Sequence, residues 1–412
     1  MSPSVDFDDT PAEAAFRAEA RTWLETHAVP KGHPDDFSNG HSDDTMSDAD
    51  YADRCRRWQR RLWDAGWAGV AWPKSFGGRG GRPIEASIFA QEQGRFGVSS
   101  GIFAVAHGMV GPTLMRHGTA EQQDRYLPAM LRGDEIWCQL FSEPGAGSDL
   151  AGLRTRAVHD PVADEWVVTG QKVWTSQATE SDMGILLART DPDVPKHQGI
   201  TYFLLDMRTP GIDVRPLRQL TGHSHFSEVF LDEVRIPAAM IVNGVGGGWK
   251  AAVTTLSNER VAISGSERGK ELGLVIDLVR AVGRADDPLI RQQVADCQTR
   301  HQIVTFLSYR LQTALSQGTP LGAEASVMKL FYAEHLRRLA ELAVGVQGPA
   351  GTLQGADAHA SGLWQARMLA ALAVKIAGGS NEIQHNVIGE RVLGLPREPQ
   401  ADRSVPFREV SA

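Results

Sequence analysis

The sequence predicts an α+β protein in three parts: a helical N-terminal domain (1–135), a middle β-domain (136–240) and a helical C-terminal domain (241–412). Three observations predict it. The 412 residues are more than twice a typical domain of ~150. Hydrophobic residues at 42% and charged residues at 22% suffice to bury sizeable cores. The texture also changes twice along the chain, from helical spacing to short β-branched and aromatic runs and back.

In the first part, Pro11 to His27 places Ala15, Phe16, Trp23 and Leu24 at helical spacing. Tyr51 to Trp67 is a second amphipathic helix with Arg54, Arg56, Arg57, Arg60 and Arg61 on a basic face. Asp53 and Asp64 interrupt that charge, so it reads as a solvated face rather than a binding patch. The polar stretch His33 to Asp50 between them reads as a surface loop. Ile84 to Phe96, Ile102 to His117 and Glu121 to Leu131 continue as helices. The second is apolar all round through Gly101, Ala104, Ala106 and Gly108, which predicts burial.

Strands are expected at Ile136 to Phe141, Glu165 to Trp174, Gly184 to Arg189, Ile200 to Leu205 and Glu228 to Ile236. All are short, apolar and separated by Gly, Pro and Asp, the pattern of an antiparallel sandwich or barrel. Gly244 to Gly248 stops the β-part. Helices follow at Trp249 to Val282, Pro288 to Leu315, Leu321 to Gln347, Leu363 to Ile376 and Ser380 to Leu393.

Composition excludes several functions. Lys+Arg 42 against Asp+Glu 50 gives a net charge of −8, the wrong sign for wrapping nucleic acid. Cys55, Cys138 and Cys297 are too few and too scattered for a disulfide framework or a structural zinc site, and no metal centre is expected. Met1 to Asp9 is acidic, without the basic n-region of a secretory signal. No apolar run reaches the ~20 residues of a membrane span. A soluble protein of a reducing, cytoplasmic compartment is expected.

Four segments offer chemistry. Ser142-Glu143-Pro144-Gly145-Ala146-Gly147-Ser148-Asp149 follows a strand, and its glycines and proline force a tight loop with free N–H groups and small hydroxyls, suited to a polar ring edge. Gly170 to Ser176 sets the Trp174 indole two residues before the Ser176 hydroxyl, so that the ring can cover a flat cofactor while the hydroxyl reaches its edge. Asn258-Glu259-Arg260 puts a carboxylate in an apolar helical stretch; a structural ion pair is the alternative. Gly378-Gly379-Ser380-Asn381-Glu382 reads as a helix start with Ser380 as N-cap and Glu382 in support. Taken singly, each also fits a plain turn, a core residue or a cap.

Together and in this order, the segments resemble the acyl-CoA dehydrogenase family, from about Pro11 to Glu398. Phe141 through Asp149 is similar to the family's first signature, and Asn381-Glu382-Ile383-Gln384 with Ile388-Gly389-Glu390-Arg391 to its C-terminal one. The resemblance implies that the C-terminal domain is a four-helix bundle. It implies FAD between the β-domain and the C-terminal helices, with Gln139, Phe141, Ser142, Gly147 and Ser148 along the ring, Trp174 on its face, Ser176 near N5, and Ser380 and Glu382 alongside. It also implies that Ser148, Ser257 and Arg260 contact the CoA thioester, and that an N–H of Gly378 or Gly379 holds its carbonyl. An electron-transferring flavoprotein is the implied electron acceptor.

Two departures are informative. The position where many members carry the catalytic Glu is Gly378, whereas Glu259, immediately before Arg260, is similar to the placement in long-chain and isovaleryl members. The Arg that usually reaches a neighbour's FAD pyrophosphate is also missing from the Arg280 to Pro288 segment, with Arg284 nearby as its replacement. A homotetramer or homodimer is expected, with a two-plus-two assembly with a related chain as the competing arrangement. Other activities open at this level are an acyl-CoA oxidase, a nitroalkane-oxidase-like enzyme and a non-catalytic partner subunit.

Overall fold

A computed structural model of the chain describes residues 9–38, 40, 46–265, 270–316, 323–397, 399 and 404–410. Helix α1 (Pro11–His27) opens with a reciprocal cap. The Glu13 N–H donates to Thr10 Oγ1 at 3.3 Å and the Thr10 N–H to Glu13 at 3.0 Å, which satisfies two otherwise orphaned donors. Helix α2 (Asp48–Asp64) starts earlier than expected because Ser47 caps it. Its basic face is spent on ion pairs. Arg54 and Arg57 pair with Asp50 and Asp53 one turn back, and Arg56 and Arg60 reach Asp182 and Asp134. Helices α3 (Pro83–Gln93), α4 (Gly111–His117) and α5 (Ala120–Arg132) complete this part.

The single helix expected over Ile102 to His117 is broken. The chain makes a tight turn at Gly101–Phe103 and a widened π-turn at Ala106–Val110 before α4. Pro112 has no N–H for the carbonyl four residues back, so the ordinary ladder cannot run through it. Ile102, Phe103, Ala106 and Val110 are fully buried, but the all-round burial expected through Gly101, Ala104, Ala106 and Gly108 does not hold: Gly101 and Ala104 are exposed and Gly108 is half-buried.

The β-part holds β1 (Trp137–Leu140), β2 (Arg156–Asp160), β3 (Glu165–Ser176), β4 (Met183–Arg189), β5 (Ile200–Asp206), β6 (Ile212–Leu217), β7 (Phe226–Pro237) and β8 (Ile241–Val242). Their order is β6-β7-β3-β2-β4-β5-β8, with β1 on β4. The sheet is mixed rather than antiparallel: β1 pairs with β4 in parallel, from Trp137 opposite Met183 to Leu140 opposite Leu186. The β2–β3 hairpin lies between them in sequence, giving the chain length that a parallel crossover needs. Strands β2 and β6 carry no apolar run, and half or more of their residues are exposed. Strand β8 is two residues long and lies just past the 240 boundary.

Strands β4 and β5 are buried on both faces, and alternation sorts their side chains. Met183, Ile185, Leu187, Tyr202 and Leu204 face a core shared with the helices. Leu186, Ala188, Phe203 and Leu205 face a second core inside the β-part.

The C-terminal part holds α6 (Gly248–Gly265), α7 (Lys270–Ala281), α8 (Pro288–Ser316), α9 (Glu324–Val346), α10 (Leu363–Val374) and α11 (Asn381–Val387). The helix expected over Trp249 to Val282 is described as α6 and α7, with 266–269 outside the described residues. Helix α9 packs on α6, α7, α8, α10 and α11. Helix α6 also packs on β5, α4 and the π-turn. There the Thr255 hydroxyl lies 2.8 Å from that of Thr113 and 3.2 Å from that of Tyr202. The tail returns to the β-part, where Phe407 lies under the Arg189 guanidinium, 3.4 Å from its ring centroid.

Candidate active site at the seam between the sheet and the C-terminal helices

Strand β1 ends in the loop from Phe141 to Asp149, and side chains of β3 anchor its first residues. Lys172, fully buried, donates to the Phe141 carbonyl at 3.1 Å and to Glu143 Oε1 at 2.8 Å. The Val173 N–H donates to the Ser142 carbonyl at 3.0 Å. Glu143 also accepts the N–H groups of Arg154 and Thr155 at 2.6 and 2.9 Å. Burial pushes its carboxyl up, but the Lys172 charge and these donors outweigh that and hold it below the ordinary carboxylate range. At the loop's far end Asp149 is paired with Lys196 at 2.9 Å.

The loop therefore has a rigid base and an open crest. Phe141 turns its ring into the core against Tyr202, at 5.8 Å and 82°, and is buried. Ser142 is half-buried, and Gly147 and Ser148 are exposed. Next to Lys172 on β3, Trp174 sits at φ +61° beside a bulge. Such a conformation is costly for an aromatic residue and persists only where the surrounding structure holds it. It leaves the indole 60% exposed, edge-on to Phe226 at 6.1 Å. Ser176, half-buried, ends the strand.

Across the seam, α6 carries Glu259. Gln139 of β1 donates through Nε2 to Glu259 Oε2 in a long 3.5 Å hydrogen bond, which joins the two elements. Ser257, on the same helix, returns its hydroxyl to the Val253 carbonyl at 2.8 Å. The Arg260 side chain lies outside the described residues.

The last contributor is the turn after α10. Gly378 and Gly379 have φ of +66° and +90°, values that glycine adopts without strain. Ser380 is the N-cap of α11, its hydroxyl accepting the Ile383 N–H at 3.4 Å. Glu382 is exposed. Arg284 does not present a free charge: its guanidinium forks onto Asp287 at 2.5 and 3.2 Å.

These residues fit a flat, polar-edged cofactor. The exposed indole offers a platform. Gly145 and Gly147 leave open space where side chains would stand. Gln139 Oε1 and Thr175 Oγ1 are buried without a hydrogen-bond partner. A surface depression of about 860 Å³ lies elsewhere, between α1 and α2, and is lined by Arg56, Arg57, Arg60 and Arg61. Their ion pairs and an Arg61 bond to the His27 carbonyl occupy those charges. Among the described residues no cluster could hold a metal ion, and no helix is long and apolar enough to cross a membrane.

Family models of the acyl-CoA dehydrogenase N-terminal, middle and C-terminal domains match residues 10–134, 138–234 and 246–393. The chain belongs to the acyl-CoA dehydrogenase family. It is an enzyme of that FAD-dependent family of oxidoreductases. It is 39% identical over 397 residues to acyl-CoA dehydrogenase IpdE1 of Mycolicibacterium smegmatis, covering 93% of this chain and 98% of that one. It is 42% identical over 342 residues to acyl-CoA dehydrogenase FadE34 of Mycobacterium tuberculosis, covering 82% of this chain but only 46% of that longer one. Among solved structures it is similar to the Tcur3481-Tcur3483 steroid ACAD, with a TM-score of 0.81 and 29% identity over 96% of this chain and 100% of that one.

Sequence reasoning missed Lys172, Glu143, Lys329 and Gln384, whose side chains hold the loop and the turn in place. A signal exists for Lys329, which interrupts an apolar run between Val327-Met328 and Leu330-Phe331, whereas Lys172 follows Gly170-Gln171 and has none. A lysine in such a run is buried only when something holds it.

Proposed function

We propose that this chain dehydrogenates a ring-bearing acyl-CoA thioester across its α,β bond, with Glu259 as the base. The observation that carries the reading is the Gln139–Glu259 contact. It sets a carboxylate of α6 against the strand that leads into the loop and Trp174. Bound FAD supplies the hydride acceptor at N5. Ser142, Gly147, Ser148, Trp174 and Ser176 hold its ring, and Ser380 and Glu382 flank it. Glu259 takes the α-proton. An N–H of Gly378 or Gly379 donates to the thioester carbonyl, where charge develops; losing such a donor costs ~10²–10³ in rate. Ser148, Ser257 and Arg260 bind the CoA arm. An electron-transferring flavoprotein accepts the electrons.

A bulky acyl group is supported by the similarity to a structure titled a steroid ACAD, and Gly378 carries no side chain to oppose it. We place the enzyme in a reducing, cytoplasmic compartment; its three cysteines are buried free thiols. For assembly, one observation favours the two-plus-two arrangement over a homotetramer or homodimer. Asp287 already neutralises Arg284, which leaves a neighbour's pyrophosphate to be met by a second, related chain.

Anaerobic bleaching of the bound flavin by straight, branched and ring-bearing acyl-CoAs tests the substrate class. Glu259→Gln should keep flavin and ligand binding and lose at least ~10³-fold in flavin reduction; near wild-type reduction would remove Glu259 as the base. Direct peroxide release in air at the rate of turnover would favour an oxidase instead. One FAD per chain for protein expressed alone would restore the homo-oligomer.

A further inference from the structure

Two fully buried polar side chains converge beneath the Gly378–Gly379 turn. Lys329, in the second turn of α9, is 0% exposed, as is Gln384 on α11. Lys329 Nζ donates to the Gly379 carbonyl at 2.7 Å and lies 3.4 Å from the Lys375 carbonyl and 3.5 Å from Asn381 Oδ1. Gln384 Nε2 donates to both turn carbonyls, Gly378 at 2.9 Å and Gly379 at 3.0 Å. The fit is close: a Cβ on Gly379 would come within 2.5 Å of Gln384 Nε2. Asn381 is fixed in turn, donating to Glu334 at 2.8 Å, and Glu334 pairs with Lys375 at 3.1 Å.

An ammonium inside a helical bundle is costly unless its hydrogen bonds are made. Here they are made to the backbone of one glycine turn and its flanks. Two glycines in succession are the most pliable backbone available, so a turn built from them holds one conformation only if something outside it does the holding. A trans peptide points its N–H opposite to its carbonyl. Pinning the Gly378 carbonyl to Gln384 therefore turns the Gly379 N–H away from Gln384.

We infer that Lys329 and Gln384 are positioning residues that fix the peptide planes of this turn, and so aim its N–H donors at the thioester carbonyl. The inference rests on the dehydrogenase reading above. Both side chains act through the backbone, without touching substrate. Misplacing a donor by about 1 Å can cost ~10²-fold in rate, so the clamp controls catalysis more than binding.

The test uses FAD-loaded protein and acetoacetyl-CoA, a thioester that forms an enolate but whose β-carbon is a ketone with no hydrogen to give up as hydride. Lys329→Met and Gln384→Leu should speed amide hydrogen exchange in the peptide spanning 376–382. They should raise the pH midpoint of the enolate's long-wavelength absorbance by about one unit, a tenfold loss of enolate stabilisation, while binding of CoA alone stays within about twofold. With an oxidisable acyl-CoA, kcat should fall ~10–100-fold and KM far less. Gln384→Asn should recover part of the loss. Wild-type exchange at 376–382, or an unshifted midpoint, overturns the inference. If Lys329→Met does not fold, Gln384→Leu carries the same measurements. Failure of the underlying reading looks different: Glu259→Gln then reduces its flavin normally and the wild type forms no enolate band, and the inference falls with it.

Discussion

Among the described residues two lysines are wholly buried, and they are held in different ways. Lys172, under the loop of the β-part, meets the Glu143 carboxylate at 2.8 Å. Lys329, under the glycine turn of the C-terminal part, is held by carbonyl oxygens at 2.7 and 3.4 Å and by an amide oxygen. The first arrangement is a buried ion pair between β3 and the loop that follows β1. Its removal strands a charge, so it governs stability. The second spreads one charge over backbone dipoles, and what it fixes is the direction of neighbouring N–H groups. The same residue type thus anchors the fold in one place and tunes a site in the other.

The largest expected effect breaks the first arrangement. Lys172→Met should cost about 3–5 kcal/mol of stability by leaving Glu143 buried and unpaired. Lys172→Met with Glu143→Leu should regain only part of it, because the Arg154 and Thr155 N–H groups then lose their acceptor, as urea denaturation would read. A double variant no more stable than the single one would mean that the pair is not what the loop depends on.

Lys329→Met should lose less, about 1–3 kcal/mol, the cost of unsatisfied carbonyls. Its larger consequence should be kinetic. If the order reversed, with Lys329→Met the more destabilising, the contrast between a fold anchor and a site tuner would fail.

Acid sharpens the comparison from the Glu143 side. Its carboxyl is held below the ordinary value of 4.5, so the folded state binds this proton more weakly than the unfolded chain does. The resulting stability is present above about pH 4.5 and is lost as pH falls through the folded value. The gap in unfolding free energy between the wild type and Glu143→Gln should be widest at pH 7 and shrink steadily toward pH 3. A constant gap would remove the ionised pair as its source.

The smallest effect is the baseline. Arg57 pairs with Asp53 across one exposed helical turn, and Arg57→Ala should change stability by about 0.2–1 kcal/mol. A larger thermal shift would mean that the basic face of α2 does more than keep the helix solvated.

Much of the architecture was legible in order. The helical, β and helical succession follows from the spacing of apolar residues, and β1, β3, β4, β5 and β7 from runs of Val, Ile, Leu, Phe and Trp between Gly, Pro and Asp. The Ser380 cap was equally readable, because a hydroxyl three residues before an open N–H is a local event. Strands β2 and β6 were not, since a strand with half or more of its residues exposed has no apolar signature. Nor was the break before α4, where Pro112 acts on a carbonyl four residues away inside a pattern that otherwise reads as helix.

For the site, the sequence by itself determined which chemistry-bearing residues exist and in what order: the small-residue loop after β1, Trp174 and Ser176 on the next long strand, Glu259 in an apolar helix, and paired glycines before a capping serine. Those depend on residue type and short spacing. Only the tertiary structure decided that β1 runs parallel to β4, that Glu259 of α6 meets Gln139 of β1, that Arg284 is neutralised by Asp287, and that Lys329 and Gln384 close on one glycine turn. Gln139 and Glu259 are 120 residues apart, and Lys329 and Gly379 are 50 apart. Nothing local couples them. Their meeting is fixed by how helices and strands bury their apolar faces against one another, which no spacing along the chain encodes.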